Sequence, residues 1–242
     1  MFPCGPHHGS SVYIAKIIIH PSALKAEYSN TVPASLYAGI TMVTMILCSY
    51  YKVWFPTACK WIFITAVCVH AVHILVFLCR NVFKGVNLDT FVPSWFVTFN
   101  GIMVSLVAGP DMLPSAMAKA VLYWGLFIYT VTIPFMVWRL ITREVKPGML
   151  HTQAIVLAPC SLCLVSYLNI VKEPVRAVVM ILYVCVILSL LFILVKLPRF
   201  FSVPFAPGFA GLTFPMAIGV VASTKAGSYL AGIGNEVLAY LG

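Results

Sequence analysis

Acidic residues are scarce in this chain of 242 residues, which has six Asp and Glu against fifteen Lys and Arg. Charged residues make up only 9% of it, whereas a soluble globular domain carries about 25%, so an ordinary water-soluble domain is excluded. Residues 1–11 are polar and lack the apolar core of a signal peptide. The net charge of +9 suits either contact with anionic lipid or a favourable field for anions, and composition alone does not separate the two.

The few acids also exclude classes of function. All but Glu236 flank the apolar windows rather than lie inside them: Glu27, Asp89, Asp111, Glu144 and Glu173. Paired carboxylates inside a membrane usually mark ion pathways and metal-dependent sites, and none are present. Cys160 and Cys163 form a C-x-x-C without the βαβ context of a redox motif. We therefore expect no enzymatic activity, no catalytic residues, no cofactor and no metal.

Long uncharged windows take the place of the missing charge. Seven of them contain no Asp, Glu, Lys or Arg, and each is long enough to cross a bilayer as a helix, which takes about 20 residues. We label them A to G: 28–51, 61–79, 90–110, 120–138, 147–171, 177–195 and 200–224. Residues 227–242 look like the start of an eighth helix. The sequence predicts an all-α, multi-pass integral membrane protein.

Small, polar and helix-distorting residues alternate with bulky ones from window to window. Windows A, C, E and G carry the former, and B, D and F are rich in Val, Ile, Leu and Phe. This repeat of one helical hairpin predicts a ring in which A, C, E and G line a central axis and B, D and F face lipid. For any single small residue, simple helix packing is the alternative. The pore-lining candidates are Gly39, Thr41, Thr98, Asn100, Gly101, Pro159, Ser161, Gly211, Thr213, Pro215 and Gly219.

Three further side chains bear on mechanism. Phe214 precedes Pro215 in a run of small residues and could project toward the axis as a gate, although from the residues alone packing in the core is the favoured alternative. His70 and His73 lie mid-window in B and lack a third metal ligand, so a packed or hydrogen-bonded neutral pair is expected. Nine Lys and Arg in the loops entering A, C, E and G, against six on the other side, predict that the entry side is cytoplasmic.

Four segments, spaced one hairpin apart, resemble the tellurite-resistance/dicarboxylate transporter family, which includes the bacterial tellurite-resistance protein and the plant slow-type anion channels. They are AEY at 26–28 with Asn30 and Pro33, PSWF at 93–96, IVLAP at 155–159 with Tyr167, and TFP at 213–215. The resemblance covers most of residues 24–224. It implies ten helices in five hairpins around a pore, a homotrimer with one pore per protomer, and Phe214 as the gate.

The chain departs from that pattern in two respects. It begins after the family's second helix and ends inside the tenth, so we expect a truncated ring that lacks its first hairpin. Gly39 to Thr41 and Val97 to Phe99 stand where family members carry prolines, so the pattern of kinks is incomplete.

These observations together predict an anion channel or transporter in the plasma or inner membrane. Its substrates would be small inorganic anions, malate-like C4-dicarboxylates, or tellurite- or sulfite-type oxyanions, and its partners membrane lipid and two further copies of itself, without nucleic acid. Residues 1–30 would be a cytoplasmic segment and 31–242 the transmembrane domain. A proton-coupled dicarboxylate carrier is the alternative within the class, and an integral-membrane enzyme or a structural membrane partner is the alternative outside it.

Overall fold

The structure is a computed structural model that describes residues 27–145, 147–202 and 210–234. Regular structure in these ranges is helical throughout, as the sequence predicts. Glu236 lies outside the described residues, as do residues 1–26 of the predicted cytoplasmic segment. We number the α-helices along the chain: α1 Thr31–Leu36, α2 Ala38–Tyr51, α3 Pro56–Asn81, α4 Trp95–Phe99, α5 Val104–Ala108, α6 Ser115–Thr142, α7 Leu157–Ile170, α8 Arg176–Phe201 and α9 Ala210–Gly232.

Three short 3-10 helices lie among these α-helices. Gly101–Met103 joins α4 to α5, Pro110–Met112 follows α5, and Pro147–Val156 leads directly into α7. Five segments of the described chain are long and apolar enough to cross a membrane: Thr31–Tyr51, Pro56–Asn81, Ser115–Thr142, Met149–Ile170 and Arg176–Phe201. They correspond to windows A, B, D, E and F, and α9, with 23 residues, corresponds to window G.

Window C is not the single helix that its length predicts. Its residues form α4, a 3-10 turn and α5. Asn100 ends α4, and α5 ends at Gly109, whose φ of −158° and ψ of 62° are not helical. The predicted start of an eighth helix at Gly227 is also wrong, because α9 continues without a break through Gly227 to Gly232. Lys225, which the sequence assigned to a loop, therefore lies within α9.

The helices form two layers. The inner layer is an arc in which α2 packs against α4 and α5, α5 packs against α7, and α7 packs against α9. The outer layer consists of α3 behind α2, α6 behind α7, and α8 behind both α7 and α9. Inner and outer elements therefore alternate along the chain, as the predicted repeat of hairpins requires.

Burial is highest in the middle of the inner arc. In the inner segment Met149–Ile170, 83% of the most hydrophobic window is buried, against 33% in each of the three outer helices and in the inner segment Thr31–Tyr51 at the start of the arc. The exposed outer side chains are large and apolar, for example Leu75, Phe127 and Ile181. Such side chains in contact with water would be unfavourable, whereas lipid tails solvate them. The outer helices thus present the lipid-facing surface of a multi-pass membrane protein.

Candidate functional site

The inner arc holds every predicted pore residue. Phe214 lies in the second turn of α9, is half-buried and packs against the core. Pro215 is buried beside it, and one turn further on Gly219 faces α7. A Cβ at Gly219 would lie 2.9 Å from Cδ2 of Leu157, so Gly219 permits a close approach between two inner helices. Gly211 is more open, and Thr213 is exposed.

Pro159 and Ser161 lie in the first turns of α7 and are buried on all sides. The Ser161 hydroxyl donates a hydrogen bond of 2.7 Å to the Leu157 carbonyl, inside its own helix. The proline follows directly on the change from 3-10 to α-helical geometry at Leu157, so it is accommodated at the start of the α-helix, where its missing N–H is tolerated. Both residues contribute here to packing between helices.

Asn100 and Gly101 lie at the break in window C, in the middle of the bundle. Asn100 is fully buried, and its Nδ2 donates to the Gly125 carbonyl of α6 at 3.0 Å. Its Oδ1 is buried and has no hydrogen-bond partner. A Cβ at Gly101 would lie 2.7 Å from Sδ of Met42, so the glycine lets α2 approach the broken segment. The break is therefore held by contacts with both layers.

A chain of hydrogen bonds links α1, α3 and α4 around Thr98. The Thr98 hydroxyl donates to the Ser35 carbonyl at 3.0 Å and lies 3.4 Å from Nε2 of His73. Nδ1 of His73 is 2.7 Å from the Tyr28 hydroxyl. Nε2 of His70 is 2.9 Å from the Thr98 carbonyl, which can only accept, so Nε2 of His70 carries the proton.

The two ends of this hydrogen-bond chain are Tyr28 and Thr41. Burial raises the pKa of Tyr28 above its ordinary value, against the smaller opposite effect of Arg80, so the Tyr28 hydroxyl stays protonated and can donate to His73. At the other end the Thr41 hydroxyl lies 2.6 Å from Nδ1 of His70. The sequence predicts a packed or hydrogen-bonded, neutral histidine pair. The packing is confirmed, since the two rings meet edge to face with centroids 6.4 Å apart, and each ring is hydrogen-bonded to other residues rather than to its neighbour. The neutral state stays a prediction, and the involvement of Tyr28 and Thr41 is additional.

Thr41 also borders a cavity of about 370 Å³ between α2 and α3. Its walls are mostly apolar, with the Thr41, Thr44 and Thr65 hydroxyls as their polar groups. Gly39, two residues before, has no atom within 4 Å of the position that a Cβ would take. Gly39 and Thr41 therefore lie beside open space between α2 and α3.

Arg139 and Lys225, which the distribution of Lys and Arg in the sequence places in loops, both lie on helices. Arg139 lies in the last turn of α6 and is only 2% exposed. Its Nε donates to the Leu88 carbonyl at 3.2 Å, and its Nη1 is buried without a partner. Lys225 of α9 donates to Oδ1 of Asn169 at 2.6 Å, and Nδ2 of Asn169 donates to the Leu106 carbonyl at 2.8 Å.

The signal for Asn169 is present in the sequence as a polar residue at the end of window E. For Arg139 the only signal is that another arginine, Arg143, follows four residues later. In the structure Arg143 pairs with Asp89 at 3.3 Å. At the opposite end of the bundle, Lys52 pairs with Asp111 at 2.8 Å, and this hydrogen bond lowers the pKa of Asp111. In the described part of the chain, no group of three His, Cys, Asp or Glu could hold a metal ion.

Comparisons with known proteins agree with this architecture. A comparison with curated proteins finds no match. The family described as SLAC1, voltage-dependent anion channel, matches residues 9–241, which is nearly the whole chain. The chain therefore belongs to the voltage-dependent anion channel family, whose members are multi-pass membrane anion channels and transporters.

Proposed function

We propose that this protein conducts small anions along the inner arc and that Phe214 restricts the path at rest. The substrates would be small inorganic anions, with C4-dicarboxylates and tellurite- or sulfite-type oxyanions as further candidates of the same charge. The predicted homotrimer, the location in the plasma or inner membrane, and residues 1–30 as a cytoplasmic segment are parts of the same proposal.

One observation carries the proposal: the inner segments before α9 are interrupted and the outer helices are not. The inner chain breaks at Tyr37 between α1 and α2, at Asn100–Met103, and at the change from 3-10 to α-helix before Leu157. The outer helices α3, α6 and α8 run for 26, 28 and 26 residues without a break. Irregular backbone at membrane depth is tolerated where it is buried in protein or lines a water-filled cavity.

Interrupted helices also suit an anion physically. Moving a bare anion into hydrocarbon costs tens of kcal/mol on a Born estimate, so conduction needs a path lined by polar groups. Helix ends at these breaks supply backbone dipoles along such a path without a fixed charge that would hold the anion. Lys225 and Arg139 add positive potential toward the ends of the bundle. We therefore expect weak binding and low selectivity among small anions.

The position of Phe214 supports its role as the gate. It is the one aromatic residue among residues 210–220, where Gly211, Thr213 and Gly219 are small, and it is half-buried rather than fully buried. Pro215 removes one backbone hydrogen bond of α9 directly after it, which allows the local backbone to bend. A hydrophobic ring on a bendable turn can block a narrow aqueous path.

The test is anion efflux from proteoliposomes containing the wild-type chain or Phe214→Ala. We expect chloride and nitrate flux to rise roughly tenfold or more, which corresponds to about 1.4 kcal/mol removed from the barrier. Phe135→Ala is the matched control, because Phe135 is 61% exposed on the outer helix α6 and should change nothing. Equal flux in all three proteins, each shown to be folded and inserted, would refute the gate.

A second candidate function, proton-coupled carriage of a dicarboxylate, is favoured by the hydrogen-bond chain from Tyr28 through His73 and Thr98 to His70 and Thr41. Titratable side chains inside a membrane segment often belong to proton pathways. In that case uptake of malate would saturate, would be driven by a pH gradient and would fall in His70→Gln, while Phe214→Ala would not raise it. A current that stays linear with anion concentration and ignores the pH gradient would instead leave the channel as the sole candidate.

A further inference from the structure

A basic recess opens on the outer surface of the bundle, away from the inner arc. It has a volume of about 220 Å³ and lies where α6 and α8 end and the 3-10 helix Pro147–Val156 begins. Three cations line it, Arg143, Lys196 and Arg199, with Glu144 as the acid among its lining residues. The recess therefore carries a positive excess on the side that the distribution of Lys and Arg predicts to be cytoplasmic.

The cations alone do not make a binding site, because Lys and Arg are favoured at helix C-termini by the helix dipole. Gln153 supplies an independent observation. It lines the same recess, is only 6% exposed, and its amide has no hydrogen-bond partner among the described residues. The amide is not among the fully buried atoms that lack a partner, so it opens onto the recess, where it is available to a polar group that enters from outside.

The surroundings of the recess indicate the chemistry of that group. Ile141, which lines the recess on α6, is 80% exposed, and Val195, which precedes the lining residue Lys196 on α8, is 78% exposed. Both belong to the outer, lipid-facing layer. A ligand that fills the recess would thus have an anionic head among Lys196, Arg199 and Gln153 and apolar chains along Ile141 and Val195.

We propose that this recess binds the phosphate headgroup of an anionic phospholipid. The cations attract the phosphate, the Gln153 amide donates to one of its oxygens, and the acyl chains follow the exposed faces of α6 and α8. Basic pockets between transmembrane helices on the cytoplasmic side are suited to such headgroups. Arg143 contributes less than the other two cations, because Asp89 already pairs with it at 3.3 Å. This lipid site is independent of which anion the protein conducts.

The test measures binding of phosphatidylglycerol by native mass spectrometry of the detergent-solubilised protein, with phosphatidylcholine as the neutral reference. Each cation near the membrane surface contributes about 1 kcal/mol, so K196Q/R199Q should weaken phosphatidylglycerol binding by roughly 30-fold. The matched control is K172Q/R176Q, which removes the same charge from the opposite side of the bundle and should bind as the wild type does. Circular dichroism and thermal unfolding establish that both variants are folded.

A second variant keeps the charge and removes only the amide. Gln153→Leu should weaken phosphatidylglycerol binding by roughly threefold to tenfold, which is the range for one hydrogen bond. Equal losses in K196Q/R199Q and K172Q/R176Q, or no loss in either, would overturn the proposal. Displacement of the lipid by glycerol phosphate at the same concentration would show that the recess takes soluble phosphates, and would likewise overturn it.

Discussion

Adding one methyl group at Gly125 tests the contact that holds the break in the inner layer. Gly125 lies in the outer helix α6, and its carbonyl accepts the hydrogen bond from Asn100 at that break. A Cβ there would lie 2.0 Å from Sδ of Met103 and 2.6 Å from both its Cγ and its Cε. Met103 is fully buried, so it has little room to move away.

The expected magnitude follows from two opposing effects. Overpacking of a core costs about 1–3 kcal/mol, and three atoms of Met103 within 2.6 Å place Gly125→Ala near the upper end. Alanine gains about 1 kcal/mol over glycine in a helix interior. The net loss of about 2 kcal/mol should lower the midpoint of thermal unfolding by about 4–8 °C for a chain of this length.

The assay is thermal unfolding in detergent by intrinsic fluorescence, with all variants scanned at one rate because unfolding can be irreversible. Gly39→Ala is the matched control, since nothing lies within 4 Å of its added Cβ and its midpoint should equal or exceed that of the wild type. The double variant G125A/M103A should lose about 1–2 kcal/mol less stability than the sum of the two single variants, because Met103 no longer overlaps the added Cβ. A midpoint for Gly125→Ala that is as high as that of Gly39→Ala would refute the close approach of α6 to the break.

Two further predictions concern polar contacts at the end of the bundle opposite the basic recess. The Lys52 hydrogen bond lowers the pKa of Asp111, so this contact contributes stability above the pKa of an unfolded Asp, about 4, and the contribution is lost as the pH falls through the lower folded pKa. Because the two side chains are 35% and 64% exposed, Asp111→Asn should cost less than about 1 kcal/mol at pH 7 and a smaller amount at pH 3, measured by unfolding at both values; an equal cost at both would contradict the pairing. Asn169→Leu should lower the free energy of unfolding by about 1–2 kcal/mol, since it leaves the Leu106 carbonyl unpaired. Lys225→Met should lower it by less, because Lys225 is exposed. The reverse order of unfolding midpoints would contradict this account.

The layers of the fold could be predicted because they follow from composition. Continuous Val, Ile and Leu in window F can only be a lipid-facing helix, and the recurrence of small residues every second window places the others inside. The break in window C could not be predicted in the same way. Window length says only that a helix could cross, whereas the break depends on Asn100 reaching the Gly125 carbonyl from another part of the chain.

The candidate site, too, could be predicted from the sequence only in part. The histidine pair in window B is visible because two polar residues interrupt an apolar run, but its partners Tyr28 and Thr98 come from elements 45 and 25 residues away from His73. The burial of Arg139 could not be predicted, because its partner is the Leu88 backbone and backbone acceptors leave no mark in a sequence. The roles of Phe214 and of the other pore residues remain predictions that the flux experiment tests.

The difference between unbroken outer and interrupted inner elements has a consequence for how the chain enters the membrane during synthesis. The outer helices α3 and α8 are long and strongly apolar, so each can partition into lipid as it emerges. The segment from Trp95 to Ala108 is neither long nor regular enough to do so alone, and its free backbone groups need partners already in place. Membrane integration is therefore expected to be cooperative, with α3 and α6 acting as the neighbours that draw the segment between them into the bilayer.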